Sequence, residues 1–211
     1  MTEVTNKGAG PWGADTPRDE GQARDRLLAA AEACYAQRGV GRTTIVDIAR
    51  EAGVHRSTVY TYFQSKDEVL AACFVRSMAS VLDAAEPCYL TGEPFVEQLI
   101  CATVVGLTAA RKSSAVMLLL GDDQVGRTYH AAEASEIWRK NLIEGVGQRI
   151  AAAVTTGEVR DDVAVETMAR WVTRLAFSLI QEPSSADDGG DEGLLRAFLP
   201  GALAPRFQSA E

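Results

Sequence analysis

The chain has 211 residues, of which 46% are hydrophobic and 24% are charged, and its net charge is −8. These values are typical of a globular protein that buries a core of useful size, and they exclude a chain that is disordered throughout. Taken as a single number, the negative charge argues against DNA or another polyanion as a partner, although a single number averages over regions of different charge.

Residues 1–17 are rich in Gly, Pro, Thr and Asp and lack a hydrophobic period, which predicts a flexible tail. The segment has no apolar core of the kind found in signal peptides. The longest dense apolar run, at 115–120, is too short to cross a bilayer. We therefore expect a cytoplasmic protein with no membrane partner.

The four cysteines stand apart from one another in the sequence, with no CxxC pair and no dense cluster. In a chain of this length, that pattern indicates reduced and buried thiols rather than disulfides or a zinc site. The residues concerned are Cys34, Cys73, Cys88 and Cys101.

The first predicted helix runs from about Asp19 to Arg38. Apolar residues recur in it at helical spacing, and Gly39 follows where a helix commonly ends.

Two short helices joined by a tight turn are predicted next. Thr44 and Asp47 match a capping box at the start of the first, Gly53 ends it, and the second covers residues 56–63. Such a pair is typical of the helix-turn-helix motif, whose second helix lies in the major groove of DNA. An ordinary helical hairpin has the same spacing, so spacing alone leaves both readings open.

The composition of the second short helix favours DNA binding. Arginine and hydroxyl side chains donate hydrogen bonds to base edges and phosphates, and no acidic residue occurs over 53–66, although the chain holds 29 of them. With Val59 and Phe63 facing the core, the predicted outward face consists of polar residues. These are Arg56, Ser57, Thr58, Thr61 and Tyr62.

The charge is divided unevenly along the chain. Residues 24–66 hold seven basic and four acidic side chains, a net charge of +3, whereas residues 67–211 hold twelve and twenty-one, a net charge of −9. The acidity that argued against DNA thus belongs mainly to the second region. A net charge of only +3 predicts weak nonspecific affinity, so tight binding should require two copies and specific contacts.

The rest of the chain is predicted to be helical, without strands, so the fold class is all-α. A capping box at 65–68 opens a long helix that ends near Ala85. Further helices are predicted over about 94–111, 114–120 and 129–155, then from a cap at Asp161 or Asp162 to Pro183, and finally around Leu194 to Leu199.

Residues 22–75 resemble the TetR family of transcriptional regulators. The resemblance rests on the double Thr at 43–44, Asp-Ile-Ala at 47–49, Ala-Gly-Val at 52–54, Tyr-x-x-Phe at 60–63 and Ser-Lys at 65–66. It implies a homodimer that binds a palindromic operator in double-stranded DNA. The family commonly represses neighbouring genes until a small-molecule effector enters a helical C-terminal domain.

The resemblance also implies roles for individual residues. Phosphate contacts fall on Thr44, Tyr60, Tyr62 and Lys66, and base contacts on Arg56, Ser57 and Thr58. Lys66 stands in the first turn of a helix, an unfavourable place for a cation, which favours a ligand role. Arg42 and Arg50 are further candidates for phosphate contact. His55 departs from the family pattern, in which a small hydroxyl residue is frequent, and Val40 stands where an aromatic is frequent.

The predicted organisation has three parts: a flexible tail over 1–17, a three-helix helix-turn-helix domain over 18–66, and a larger helical effector-binding and dimerisation domain over 67–211, connected by the fourth helix from 66. The predicted dimer interface is an apolar stripe that an intrachain core would also produce. It comprises Val165, Met168, Val172, Leu175, Leu179, Leu194 and Phe198. A cavity for the effector is also predicted in this domain, and its apolar lining favours a hydrophobic ligand. The same residues could instead form an ordinary hydrophobic core without a cavity. They are Leu99, Thr103, Leu107, Met117, Trp138 and Leu142.

Catalysis has little support in the sequence. There is no GxSxG, P-loop or complete GxGxxG motif, and His130 with Glu133 forms a single i, i+3 pair where a helix-bundle metal site needs several. We expect no enzyme activity, no cofactor and no metal. The competing reading is a helical protein that sequesters small molecules and no longer binds DNA, and the acid-free segment argues against it.

Overall fold

The computed structural model describes residue 12, residues 16–120 and residues 125–205. These residues form helices and their connections, and no strand occurs among them, which confirms the all-α fold class. The chain divides into two compact units, residues 1–73 and residues 74–211. The flexible tail predicted for 1–17 lies almost wholly outside the described residues.

The described part of the first unit contains three helices and the beginning of a fourth. They are α1 (Glu20–Arg38), α2 (Ile45–Glu51), α3 (Arg56–Tyr62) and α4 (Lys66–Ala85). Asp19 caps α1 by accepting a hydrogen bond from the backbone N–H of Gln22 at 2.8 Å, and Gly39 ends it with φ of 79°. The large side chains at the centre of this unit are almost inaccessible to solvent: Leu27, Tyr35, Ile48, Val59, Phe63 and Leu70.

The second unit contains the rest of α4 and seven further helices among its described residues. They are α5 (Phe95–Lys112), α6 (Ser114–Leu120), α7 (Val125–Ala134), α8 (Glu136–Leu142), α9 (Gln148–Thr155), α10 (Val165–Gln181) and α11 (Gly190–Leu203). A 3-10 turn, Glu86–Leu90, connects α4 to α5. The division between the units falls inside α4, seven residues beyond the limit predicted at residues 66 and 67.

The single helix predicted over 129–155 is wrong. The chain is extended at Ser135, with ψ of 131°, and a π-helical segment with a non-helical Gly145 separates α8 from α9. Apolar side chains stay in phase across these breaks, since Trp138, Leu142 and Ile150 are all buried. A periodic pattern therefore did not reveal where the backbone departs from the helix.

The cap predicted at Asp161 or Asp162 is also wrong. α10 begins at Val165, and its N-cap residue makes no side-chain hydrogen bond. The carboxylate of Asp162 instead accepts two hydrogen bonds from the guanidinium of Arg160, at 2.6 and 2.7 Å. The backbone N–H of Arg160 in turn donates to the carbonyl of Leu203 at 2.9 Å, so this pair joins the turn before α10 to the end of α11.

Arg111 joins the end of α10 to the beginning of α11. Its guanidinium binds the carbonyl oxygen of Leu179, near the end of α10, and lies 2.7 Å from the carboxylate of Asp191, in the first turn of α11. Because Arg160 links the opposite ends, α10 and α11 run antiparallel to each other.

Cys88 and Cys101 form a disulfide, with 5.7 Å between their Cα atoms. The prediction of four reduced thiols is therefore wrong for this pair, whereas Cys34 and Cys73 are free and buried. The bond joins the 3-10 turn to α5. Cys88 belongs to an apolar cluster with Ala85 and Ala102, whereas Cys101 is exposed.

Within the described ranges, no helix is by itself long and apolar enough to cross a membrane. α5 and α6 reach the required length and hydropathy only when they are counted together, and the chain bends by 88° between them.

Candidate functional site

The helix-turn-helix begins with a complete capping box, as the sequence predicted. The backbone N–H of Asp47 donates to the hydroxyl of Thr44 at 3.2 Å, and the backbone N–H of Thr44 donates to the Asp47 carboxylate at 3.0 Å. The Thr44 hydroxyl also donates to that carboxylate at 2.6 Å, and these hydrogen bonds lower the pKa of Asp47. Thr44 thus fixes the start of α2, and its phosphate contact stays a prediction.

The turn between α2 and α3 is a Schellman motif. The backbone N–H of Val54 donates to the carbonyl of Ala49 at 2.9 Å, and that of Gly53 donates to Arg50 at 3.1 Å. Gly53 has φ of 69°, a conformation in which a residue with a Cβ is strained. The turn ends α2 sharply and sets the direction in which α3 begins.

The exposed face of α3 consists of Arg56, Ser57, Tyr60 and Thr61. The predicted outward position of Thr58 is wrong, because its side chain is only 6% exposed. Thr58 lies one helical turn before Tyr62 on the same side of the helix, and Tyr62 is itself half-buried. The buried side of α3 is therefore wider than the spacing of its apolar residues indicated.

Tyr62 is held by contacts within the first unit. Its ring meets the ring of Trp12 edge to face, with 6.0 Å between centroids, and its carbonyl accepts a hydrogen bond from Arg24 at 2.6 Å. The guanidinium of Arg26 lies over the ring of Trp12, 5.0 Å from its centroid. Sequence reasoning missed Trp12, for which the only signal was a lone tryptophan in a segment rich in Gly and Pro.

Two of the predicted phosphate ligands make contacts inside the protein. The ammonium of Lys66 donates to the carbonyl oxygens of Val40 at 2.8 Å and Gly41 at 3.2 Å. Arg42 donates from Nε to the carbonyl of Arg38, the last residue of α1, at 2.9 Å. Both cations thus support the turn that precedes α2, and their contacts with phosphate stay predictions.

The exposed side chains of α3 are suited to recognise an anionic double helix. Arg56 is the one charged residue in the helix, and Ser57, Tyr60 and Thr61 lie on the same exposed face. The Ser57 hydroxyl lies 3.1 Å from Nδ1 of His55, so a histidine that departs from the family pattern orients a predicted base-reading residue. Among the residues that the structure describes, no group of His, Cys, Asp or Glu could hold a metal ion.

The second unit contains a cavity of about 340 Å³, within the range of small-molecule sites. Five of the six predicted lining residues border it: Leu99, Thr103, Leu107, Trp138 and Leu142. Met117 is not among its lining residues. Sequence reasoning missed Phe74 and Phe177, whose rings pack 5.2 Å apart between centroids, because they come from distant helices.

The predicted dimer stripe is divided between the core and the surface. Met168, Val172 and Leu179 are buried within the protomer, so for them the alternative of an intrachain core is correct. Phe198 is 64% exposed, and Trp171, which the sequence analysis missed, is 39% exposed. The predicted Val165, Leu175 and Leu194 are half-buried. The large aromatic side chains left exposed on α10 and α11 are therefore Trp171 and Phe198.

Comparison with known proteins agrees with this geometry. Residues 27–73 match the family model of bacterial regulatory proteins of the tetR family. An uncharacterized HTH-type transcriptional regulator of Mycobacterium tuberculosis (strain ATCC 25618 / H37Rv) is 28% identical over 185 residues, which cover 88% of this chain and 94% of the relative.

Two solved structures share the fold. Thermus thermophilus FadR, a TetR-family repressor in complex with lauroyl-CoA, has a TM-score of 0.57 at 23% identity, covering 89% of this chain and 99% of that one. RolR in complex with resorcinol has a TM-score of 0.60 at 17% identity, covering 89% and 90% of the respective chains.

Proposed function

Because the chain belongs to the TetR family of DNA-binding transcriptional regulators, we propose that it is a repressor released from its operator by a small apolar effector. In this proposal two copies bind a palindromic site, α3 of each lies in the major groove, and the effector occupies the cavity of the second unit.

The observation that carries the DNA-binding part is the exposed face of α3. The side chains of Arg56, Ser57, Tyr60 and Thr61 lie together on one side of the helix, while its opposite side is buried. The Thr61 hydroxyl donates to the carbonyl of Ser57 at 3.1 Å, so the other donors of this face belong to Arg56, Ser57 and Tyr60. The neighbouring residues 53–66 contain no carboxylate that would repel phosphate. An α-helix that presents Arg and hydroxyl groups in this way can read base edges in the major groove.

The observation that supports the effector part is the composition of the cavity wall. Phe74, Leu99, Trp138 and Phe177 contribute apolar surface, and burying such surface of a ligand is favourable by about 25 cal/mol per Å². Two structural neighbours hold small organic ligands, lauroyl-CoA and resorcinol, which is consistent with ligand binding on this fold.

The proposed homodimer uses the exposed apolar surface of α10 and α11. A C2 interface pairs the same patch of both copies, and large aromatic side chains near its centre supply most of the affinity in such interfaces. Trp171 and Phe198 are the exposed aromatic residues of these helices. Because a dimer binds DNA through two linked copies of α3, it also offsets the weak electrostatic attraction that follows from the small positive charge of residues 24–66 in each copy.

A gel-shift assay with the DNA upstream of the protein's own gene tests the proposal, and a transcription assay on the same DNA tests its direction. We expect a discrete shifted complex and reduced transcription when the protein is added. A protein that binds apolar ligands but shifts no DNA would support the competing sequestering function, and increased transcription would identify an activator.

A further inference from the structure

The apolar cavity opens towards a second, more polar cavity in the same unit. The second cavity also has a volume of about 340 Å³, and the two share three lining residues, Glu86, Tyr89 and Arg149. Glu86 and Arg149 are the charged side chains among the residues that line the apolar cavity. A ligand that fills this cavity therefore meets charge at one end only.

Three polar side chains elsewhere in the apolar wall already make hydrogen bonds, whereas the indole N–H of Trp138 is buried and has no acceptor among the described residues. The hydroxyl of Thr103 donates to the carbonyl of Leu99 at 2.7 Å, and that of Thr173 donates to Ala169 at 2.9 Å. The amide of Asn141 donates to the carbonyl of Ile137 at 2.8 Å. The donor groups of these three residues thus form hydrogen bonds within their own helices.

Arg149 and Tyr89 still have donors to offer. The guanidinium of Arg149 contacts the carboxylate of Glu86 and, at 3.5 Å, the carbonyl of Gly145, which leaves further N–H groups of its five. It also lies over the ring of Tyr89, 4.2 Å from the centroid. The Tyr89 hydroxyl has no acceptor within the described part of the chain, and burial raises the pKa of its phenol, so it stays a proton donor at neutral pH.

Glu86 and Arg149 differ in solvent exposure, and this difference indicates which charge a ligand should carry. The Glu86 side chain is 54% exposed and that of Arg149 is 31% exposed, so the carboxylate can turn into water at little cost. Arg149 is held by the Tyr89 ring and the Gly145 carbonyl. An anionic group can therefore take the place of Glu86, whereas a cationic group would have to displace the more firmly held Arg149.

The other carboxylate near this end does not oppose an anion directly. Glu158, which lines the polar cavity, accepts hydrogen bonds from the backbone N–H of Phe95 at 2.8 Å and the hydroxyl of Thr156 at 3.0 Å. Its charge is thus stabilised by neighbouring donors, and it makes no ion pair with Arg149.

We propose that the effector is a carboxylate-bearing amphiphile, whose apolar body fills the cavity and whose carboxylate replaces Glu86 on Arg149 and accepts a hydrogen bond from Tyr89. This inference rests on the proposed effector role of the cavity and adds the chemical class of its ligand. The charge-assisted pair forms at a partly buried site, where it is stronger than in water.

Calorimetric titration of the full chain with octanoate, decanoate and dodecanoate, below their micellar concentrations, tests this inference. The matched probes are 1-decanol, which lacks the charge, and decyltrimethylammonium, which reverses it. We expect at least one of the acids to bind more tightly than both probes. If no acid binds, or if the alcohol or the cation binds more tightly than the acids, the inference is wrong.

Two substitutions locate the carboxylate. Arg149→Met should weaken binding of the acid about tenfold or more and leave binding of 1-decanol nearly unchanged, and Arg139→Met, at an exposed position of α8, is the matched control. Glu86→Gln should tighten binding of the acid, because it removes the competing carboxylate. Equal binding of the acid by the Arg149 variant and the unaltered protein, or weaker binding by the Glu86 variant, would overturn the assignment.

The same ligands separate this inference from the proposed function. The acid that binds in the titration is added to the protein–DNA complex, and the release of DNA is measured. An acid that binds at Arg149 without releasing DNA supports the ligand class and contradicts the effector role. Release by 1-decanol and not by the acids supports an apolar effector and contradicts the ligand class.

Discussion

The ammonium of Lys66 lies 2.8 Å from the carbonyl oxygen of Val40. Val40 follows the end of α1, and Lys66 is the first residue of α4, so this hydrogen bond closes the first unit around α2 and α3. A cation in the first turn of a helix is disfavoured by the helix dipole. The carbonyls of Val40 and Gly41 offset that disadvantage, so the position has a structural explanation beside the predicted phosphate contact.

Lys66→Met should therefore lower the free energy of unfolding by about 1.5 kcal/mol, because it leaves carbonyl oxygens without their charged donor. Urea denaturation followed by circular dichroism measures this change. The predicted phosphate contact should in addition reduce the slope of log affinity against log salt by about 1. Unchanged stability would contradict the structural role, and an unchanged slope would contradict the phosphate contact.

Arg56→Ala should reduce affinity for the operator by about 1–3 kcal/mol and relax the sequence preference at one base position. The reason is that Arg56 lies on the exposed face of α3, where a bidentate contact to guanine is available. Fluorescence anisotropy on specific and random duplexes measures both effects. Arg127→Ala, which removes the same charge at an exposed position of the second unit, is the control, and equal losses on both duplexes would defeat the assignment.

Thr58→Val should leave the sequence preference unchanged. Thr58 is 6% exposed, so little of the residue is accessible to a base edge, and valine has nearly the same shape. A binding-site selection experiment with this variant and with Ser57→Ala compares the two neighbours. An altered preference in the Thr58 variant would show that the resemblance to the family, rather than its burial, describes its role.

Phe198→Glu should convert the proposed dimer to a monomer without unfolding it, because the ring is 64% exposed and a buried charge opposes association. Sedimentation velocity at micromolar concentration measures the change. The adjacent Leu199 is fully buried, so Leu199→Ala should instead lower the free energy of unfolding by about 2–5 kcal/mol. A dimer that persists in the Phe198 variant would place the interface elsewhere.

Alkylation of the unfolded, unreduced protein should modify two of its four cysteines, and prior reduction should make all four reactive, because Cys88 and Cys101 are paired. The closed loop has a sequence separation of 13, for which a chain-entropy model gives about 3 kcal/mol of stability. Reduction should therefore lower the unfolding temperature. Four reactive cysteines before reduction would show that the pair is not bonded.

Local patterns predicted the first unit well. The capping box of Thr44 and Asp47 and the end of α2 at Gly53 depend on residues three to five positions apart, so they can be inferred from the sequence directly. The position of Thr58 could not be inferred in this way. Its burial depends on how far the core extends around α3, which the apolar residues of a seven-residue helix do not define.

Non-local relationships account for the errors in the second unit. The pairing of Cys88 with Cys101 depends on how the 3-10 turn meets α5, and cysteine spacing does not determine it. Likewise, Met168 and Phe198 belonged to one predicted stripe, yet one is buried and the other exposed. Both the core and an interface require apolar residues, so only packing distinguishes them.

Specific recognition of DNA by α3 is the central claim, and a competition measurement by fluorescence anisotropy tests it most directly. The full chain is titrated onto a labelled duplex from the region upstream of its own gene, against unlabelled random duplex at physiological salt. We expect affinity for the upstream duplex to exceed that for random DNA by about 10³ or more, and this ratio to fall in the Arg56→Ala variant. Equal affinities for the two duplexes, with no effect of the substitution, would contradict the claim.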